Sequence, residues 1–213
     1  MRHLVFVRHG ESALNALSKT TRTYCGQIET PLTEVGRQQA VGAGKKLAQL
    51  NYIQPKAAIS SPLTRAVETL SLLLGQLATT VDRLPPSRGL MERSHGRFEG
   101  LAEETVFRDY PRYRDDPDYC HFMNHFEQCA PGGETLSSVR DRAWSSVREL
   151  TETTTGDVVI VSHFNPIRCI LGRALDMSPE QTLRLHIPNA EPIVLGFSGA
   201  FKLVEAPELK PQS

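Results

Sequence analysis

The chain is poor in the features that would mark a secreted, membrane-bound or nucleic-acid-binding protein. Its four cysteines, Cys25, Cys120, Cys129 and Cys169, include no C-x-x-C spacing and no dense framework, which favours reduced thiols over a disulfide scaffold or zinc site and leaves a single pair open. No run approaches the ~20 apolar residues that a membrane-crossing helix needs, and the first residues show no basic segment followed by an apolar stretch and cleavage site. Neither sign of charge is in excess: 24 Lys and Arg balance 24 Asp and Glu. The whole molecule therefore exerts no strong steering field toward nucleic acid or an anionic membrane, and any anion site has to be local. Internal repeats and low-complexity tracts are also lacking. The 213 residues fit one domain with a sizeable core. The expectation is a soluble cytoplasmic protein, residues 1–213 forming a single domain, whose partners are small molecules, with no nucleic acid and no membrane; the sequence carries no signal for oligomeric state.

What is present begins with Arg8-His9-Gly10-Glu11-Ser12, directly after the apolar run Leu4-Val5-Phe6-Val7. This puts an arginine and a histidine at the carboxyl end of a buried strand, where ligands of open α/β sheets bind and helix amino ends offer donors to anions. A lone histidine after a strand is more often structural than catalytic. Here the pattern recurs in Val158-Val159-Ile160-Val161-Ser162-His163, so two strands can deliver two imidazoles to one sheet edge.

Between these strands the pattern predicts a polar loop from Gly10 to Thr30, then a helix after Thr33 as N-cap, a short strand at 57–60, and a helix capped by Ser61 with Pro62 at its first position. Arg65 falls in the first turn of that helix. A cation there opposes the helix dipole, and a bound anion is the reason to tolerate it, set against the plainer reading of an exposed surface arginine. Residues 85–133, rich in Pro, Gly, aromatic and charged residues, break the alternation and read as an insertion covering the site. A helix from about 134 to 153 follows, with Trp144 expected in the core. Beyond His163, helices are expected at 166–175 and 179–185, strands at 192–197 and 200–204, and a frayed tail at 207–213. The fold class is α/β with a mostly parallel central sheet.

Phosphoryl transfer through histidine needs a neutral ring nitrogen, a cationic cradle and an acid for the leaving alkoxide. His9 is the candidate nucleophile. Arg8, Arg65 and His163 are candidates for the cradle, with Asn15 and Ser12 available to complete it. Glu92 is the candidate acid, and Glu11, Glu99 and Glu103 are rivals that spacing leaves open. Arg93, His95, Arg97, Arg112, Arg114, Arg168 and His186 could each meet a second anionic group or, equally, serve as surface or structural residues. No metal-ligand cluster is assigned.

These pieces resemble the histidine phosphatase superfamily, also called phosphoglycerate-mutase-like. The resemblance is carried, in the family's order, by Arg8-His9-Gly10-Glu11-Ser12 with Asn15, Cys25-Gly26-Gln27 leading to Leu32-Thr33-Glu34-Val35-Gly36, Ser60 to Thr69 around Arg65, Glu92 with Gly96 and Phe98-Glu99-Gly100, Pro131-Gly132-Gly133-Glu134-Thr135, and Ser162-His163. It implies a three-layer α/β/α sandwich and a covalent phosphohistidine on His9. It also implies Arg8, Arg65 and His163 around the phosphate and Glu92 as proton donor, without metal or organic cofactor. Ser12, Asn15, Gly26, Gln27, Arg93, Phe164, Asn165 and Arg168 are the expected substrate-binding set. Glu92-Arg93, the run from His163 to Arg168 and the run from Ile187 to Val194 look like the cofactor-dependent mutases. Three departures point instead to the phosphatases: a shorter stretch between Glu92 and His163, Glu103 where the mutases carry a lysine, and the Phe98-Glu99-Gly100 form of that loop. Phe164 stands where the family commonly has glycine, so a bulky ring could narrow the pocket, exclude water or shift His163. The expected activity is hydrolysis of a small phosphorylated metabolite, with a phosphoglycerate-type mutase and a noncatalytic phospholigand- or protein-binding member as alternatives.

Overall fold

Runs of β-branched and aliphatic residues at 4–7 and 158–161 can be satisfied only if both of their faces are covered, and they form the two central strands. The computed structural model describes residues 1–207. In chain order these form β1 (Arg2–Arg8), α1 (Ala13–Thr21), α2 (Glu34–Gln49), β2 (Pro55–Ser60), α3 (Thr64–Leu74), the two-residue β3 (Asp82–Arg83), α4 (Glu103–Asp109), α5 (Arg112–Asp115), α6 (Leu136–Thr153), β4 (Asp157–Ser162), α7 (Phe164–Ala174), α8 (Pro179–Leu183), β5 (Ile193–Phe197) and β6 (Phe201–Glu205). They build one sheet in the order β3-β2-β4-β1-β5-β6. The first four are mutually parallel, and β5 and β6 turn the far side antiparallel.

Alternate residues of β1 and β4 serve opposite layers, as the two-residue period of a strand requires. Leu4, Phe6, Val158 and Ile160 pack with Ala143 and Val147 of α6 and Ile167, Ile170 and Leu171 of α7. Val5, Val7, Val159 and Val161 pack with Ala43 and Leu47 of α2 and Ala66, Leu70 and Leu73 of α3. The outcome is a helix–sheet–helix sandwich. Residues 98–130 hold a separate aromatic cluster in which Phe98, Tyr113 and Phe122 meet edge to face and bury Tyr24 and Val106 with them. Among the described residues no helix is long and apolar enough to cross a membrane, and all four cysteines are free thiols.

Three sequence expectations need correction. The polar segment from Gly10 to Thr30 is not all loop, for it contains α1, opened by a reciprocal capping box between Ser12 and Asn15. This helix buries none of its residues, and its apolar Leu14 and Leu17 span only one turn, too short a run to mark a helical period within a polar segment. Next, α3 begins at Thr64 after Leu63, without a side-chain cap; the Ser61 hydroxyl is engaged elsewhere. Trp144 packs against the core but is only partly buried, meeting Phe201 edge-on and lying beneath Arg173. Of the expected 207–213 tail, residues 208–213 lie outside the described part. The Thr33 cap is as expected, its hydroxyl accepting from the Gly36 amide at 3.0 Å.

Helix α2 meets the chain just after β1 so closely that a Cβ on Gly36 would sit 2.0 Å from the Glu11 carbonyl oxygen, whereas one on Gly42 would meet nothing within 4 Å. The same substitution should therefore act in opposite senses on one helix. Gly36→Ala should lower the free energy of unfolding by about 1–3 kcal/mol through overpacking, and Gly42→Ala should raise it by about 0.5–1 kcal/mol through helix propensity. Urea unfolding of both variants checks this; a gain at 36 or a loss at 42 contradicts it.

Candidate active site

β1 and β4 pair in parallel with Arg8 opposite Ser162, so the next residues, His9 and His163, leave the same edge side by side. The His9 amide donates to the Ser162 carbonyl at 3.0 Å, and the two imidazole centroids are 5.0 Å apart at a 60° tilt. His9 Nδ1 lies 2.7 Å from the Gly10 carbonyl oxygen. A carbonyl only accepts, so this contact assigns the proton to Nδ1 and leaves the lone pair on Nε2. Burial, then the charges of Arg65 and Arg8, hold the His9 pKa well below the usual histidine range. The ring is neutral at physiological pH.

Arg65 approaches this nitrogen directly, its Nε 3.3 Å from His9 Nε2. The guanidinium is fully buried, and its Nη1 and Nη2 donate to the carbonyls of Ile28 and Gly26 at 2.8 Å each. The 26–28 turn thus fixes where the charge sits. Arg8 donates to the Ile187 carbonyl at 2.9 Å and lies 5.3 Å over the Phe164 ring; its buried Nε has no protein partner. Phe164 also faces the Arg168 guanidinium at 4.9 Å. The ring that replaces the expected glycine therefore has two guanidinium groups against it and is not among the residues that line the cavity.

His163 is completely buried, and burial, followed by His9 and the two arginines, lowers its pKa strongly. Its Nε2 meets the Ser61 hydroxyl at 2.8 Å, while Ser61 accepts from the Leu63 amide at 3.3 Å. A hydroxyl can donate to Nε2 as well as accept from it, and the tautomer in which Ser61 donates carries the imidazole proton on Nδ1. Nδ1 has no protein partner. The sequence suggested a capping role for Ser61; its place at the end of β2, beside β4 in the sheet, explains the different one.

Glu92 is held by backbone. Its Oε1 accepts from the amides of Arg93 at 2.7 Å and of Asn165, in the first turn of α7, at 3.3 Å. The Glu92 carbonyl accepts from Gln27 at 2.8 Å and Arg142 at 2.9 Å. Arg142 in turn forks onto Glu134 at 2.7 and 2.9 Å and reaches the carbonyls of Gly89 and Met91. Glu134 also accepts from the Ser94 amide at 2.8 Å, so the Arg142–Glu134 pair ties the strand of chain around Glu92 to α6. Arg142 escaped the sequence reading because an arginine inside a helix carries no local signal of what it crosses to.

A cavity of about 420 Å³ opens over His9, lined by Arg8, Asn15, Ser18, Arg22, Thr23, Tyr24, Cys25, Gly26, Arg65, Glu92, His95, Glu103, Met123 and Asn165. A groove of about 550 Å³ between α6, α7 and α8 shares no residue with it. Of the expected substrate-binding set, Asn15, Gly26 and Asn165 line the cavity. Ser12, Gln27, Arg93, Phe164 and Arg168 do not, and each is otherwise engaged or buried. Ser12 caps α1, and Gln27 braces the Glu92 and Glu134 groups. The buried Arg93 guanidinium gives its donors to the carbonyls of Glu134, Met123, Phe122 and Gln128, and burial, its largest influence, lowers its pKa to about 10. The rival acids are also placed: Glu11 pairs with Lys19 and Thr33, and Glu99 accepts from the Gln27 and His95 amides and Ser94. Glu103 reaches the cavity from its solvent side.

A parallel-sheet α/β protein with two strand-end histidines inside an arginine cradle defines the class, and residues 4–207 match the family model of the histidine phosphatase superfamily (branch 1). The chain belongs to that family. Among its relatives are 2,3-bisphosphoglycerate-dependent phosphoglycerate mutases of Hydrogenobaculum sp. (strain Y04AAS1), 30% identical over 90% of this chain and 85% of the relative, and of Gloeobacter violaceus, 32% identical over 89% and 83%. Among solved structures, a mycobacterial glucosyl-3-phosphoglycerate phosphatase in complex with VO3 superposes with a TM-score of 0.78 at 26% identity, covering 96% of this chain and 98% of that one. YhfR of Bacillus stearothermophilus shares the fold at a TM-score of 0.79 and 24% identity, over 94% of each chain.

His9, His95 and His163 are buried with pKa values depressed foremost by that burial, His95 to about 3. The unfolded chain, with histidines near 6.5, takes up protons that the native state refuses, so native stability should fall as pH drops below about 6.5, by up to about 1.4 kcal/mol per pH unit for each such histidine. Denaturant midpoints between pH 7.5 and 5 measure this. A midpoint that stays level or rises on acidification contradicts the assignment of three neutral imidazoles.

Proposed function

We propose that the chain is a phosphomonoesterase that hydrolyses a small phosphorylated metabolite through a phosphohistidine on His9, without a metal ion. The observation that carries this reading is the unprotonated His9 Nε2 beside the Arg65 Nε, in one cavity with Arg8 and Glu92, with the buried His163 ring centred 5.0 Å from that of His9. In the first step the Nε2 lone pair forms a bond to phosphorus as the ester P–O bond breaks. Arg8, Arg65 and His163 donate to the nonbridging oxygens, where preorganised donors act most strongly because water is excluded. Glu92, protonated when the ester binds, gives its proton to the departing alkoxide. In the second step its carboxylate takes a proton from water as the oxygen attacks phosphorus, the P–N bond breaks, and inorganic phosphate leaves.

The arginines supply the charge neutralisation that a metal would give elsewhere. Among the described residues there is no group of three or more His, Cys, Asp or Glu suited to hold a metal ion. A mutase is the second reading, favoured by the names of the relatives at 30% and 32% identity. It uses the same phosphohistidine but returns the phosphoryl group to an acceptor hydroxyl and has to retain a bisphosphorylated intermediate.

Phosphorus NMR in chelator, with 3-phosphoglycerate, its bisphosphate primer, sugar phosphates and nucleotides, separates the two by product. Hydrolysis predicts inorganic phosphate growing from one ester. Primer-dependent isomerisation without phosphate release would establish the mutase and overturn the hydrolase. For the acid, Glu92→Gln should slow alkyl phosphates by about 10²–10⁴ and aryl phosphates far less, since a good leaving group needs little protonation. Equal losses on both would remove Glu92 from that role.

A further inference from the structure

We infer that Arg22 and Glu103 form a selector at the solvent side of the cavity for monophosphate esters whose alcohol is uncharged and carries hydroxyl groups, against alcohols bearing a carboxylate or second phosphate. The inference rests on the phosphatase reading and names its substrate class.

The pair is held in place by backbone. The Glu103 amide donates to the Arg22 carbonyl at 3.0 Å, the Tyr24 amide to the Leu101 carbonyl at 3.0 Å, and the Gly100 amide to the Tyr24 carbonyl at 2.8 Å. This short ladder, with its bridge between Thr23 and Ala102, sets the two side chains next to each other, and Arg22 Nη1 donates to Glu103 Oε2 at 3.3 Å. Arg22 turns out of α1 in the left-handed region, φ 45°, which carries its side chain away from the helix. The Arg22 side chain is 80% exposed and that of Glu103 31%, whereas Arg65 and His9 are buried. The pair therefore marks the mouth and the histidine marks the floor.

The cationic groups lining the cavity divide accordingly. Arg8 and Arg65 surround His9 and are committed to the phosphoryl group. Arg22 is the remaining lining cation, and Glu103 already neutralises it. Apart from Glu92, the other walls are uncharged: Tyr24, whose burial pushes its hydroxyl pKa up to about 12, the neutral His95, Thr23, Ser18, Asn15, Cys25 and Met123. None of Arg93, Arg97, Arg112, Arg114, Arg168 or His186 lines the cavity. A second anionic group would meet Glu103 and find no unpaired cation among these residues. A pair of neighbouring hydroxyls meets complementary partners, one donating to the Glu103 carboxylate and the other accepting from Arg22. The repulsive element supplies the discrimination.

The test uses a matched pair, glycerol 3-phosphate and 3-phosphoglycerate, which differ by a hydroxymethyl group against a carboxylate. Affinities are measured by calorimetry in His9→Ala protein, so the result does not depend on turnover. Glycerol 3-phosphate should bind about tenfold or more tightly than 3-phosphoglycerate, and Glu103→Lys in the same background should cut that ratio by about tenfold or reverse it, with the isosteric Glu103→Gln falling between. Equal or tighter binding of 3-phosphoglycerate with Glu103 present, or a ratio that neither substitution moves, overturns the selector. The phosphatase reading fails separately, if the unaltered chain releases phosphate from no ester at all, and the calorimetric ratio still decides the selector in that case.

Discussion

The parallel pairing of β1 with β4, in the register that sets Arg8 against Ser162, determines where every other part of the site has to be. Slipping that register by one residue would turn each strand's side chains to the opposite layer, and the two apolar layers resist it, since Leu4 and Phe6 belong to one and Val5 and Val7 to the other. Packing on both faces thus fixes the relative position of His9 and His163. The same sheet then places Ser61, one residue beyond β2, where it can orient His163.

Burying this many cationic and imidazole groups at one edge is unfavourable unless each is held or neutral. The structure answers with backbone carbonyls: those of Gly26 and Ile28 for Arg65, of Ile187 for Arg8, and of four loop residues for Arg93. The imidazoles remain uncharged. On the proposed reading such a floor suits a phosphoryl dianion, and among the described residues that line the cavity no further unpaired cation stands toward the mouth. The Arg142–Glu134 fork does the equivalent work for Glu92, anchoring its peptide to α6.

How much of this could be read from the sequence depends on the range of the interaction. Strand β1, the Thr33 cap and the histidine after each central strand follow from local rules of period and capping. Arg65 in a first turn was legible as an anomaly against the helix dipole. What stayed hidden depends on partners remote in sequence. Ser61 looks like a cap until β4 is laid beside β2; Arg93 looks like a ligand until the 122–134 loop is wrapped around it. Phe164 suggests a narrowed pocket until Arg8 and Arg168 are placed against its ring. The α1 helix was invisible for a different reason, being a short run inside a polar segment with none of its residues buried.

The central claim is that His9 Nε2 takes the phosphoryl group. Rapid acid-free quenching of the protein during turnover of a phosphate ester, followed by peptide mass spectrometry, tests it most directly. The account predicts an acid-labile phosphoryl group on the peptide containing His9, formed within the first turnover and missing from His9→Asn protein. Steady turnover with no label on that peptide, or an equal label in the His9→Asn variant, would contradict it.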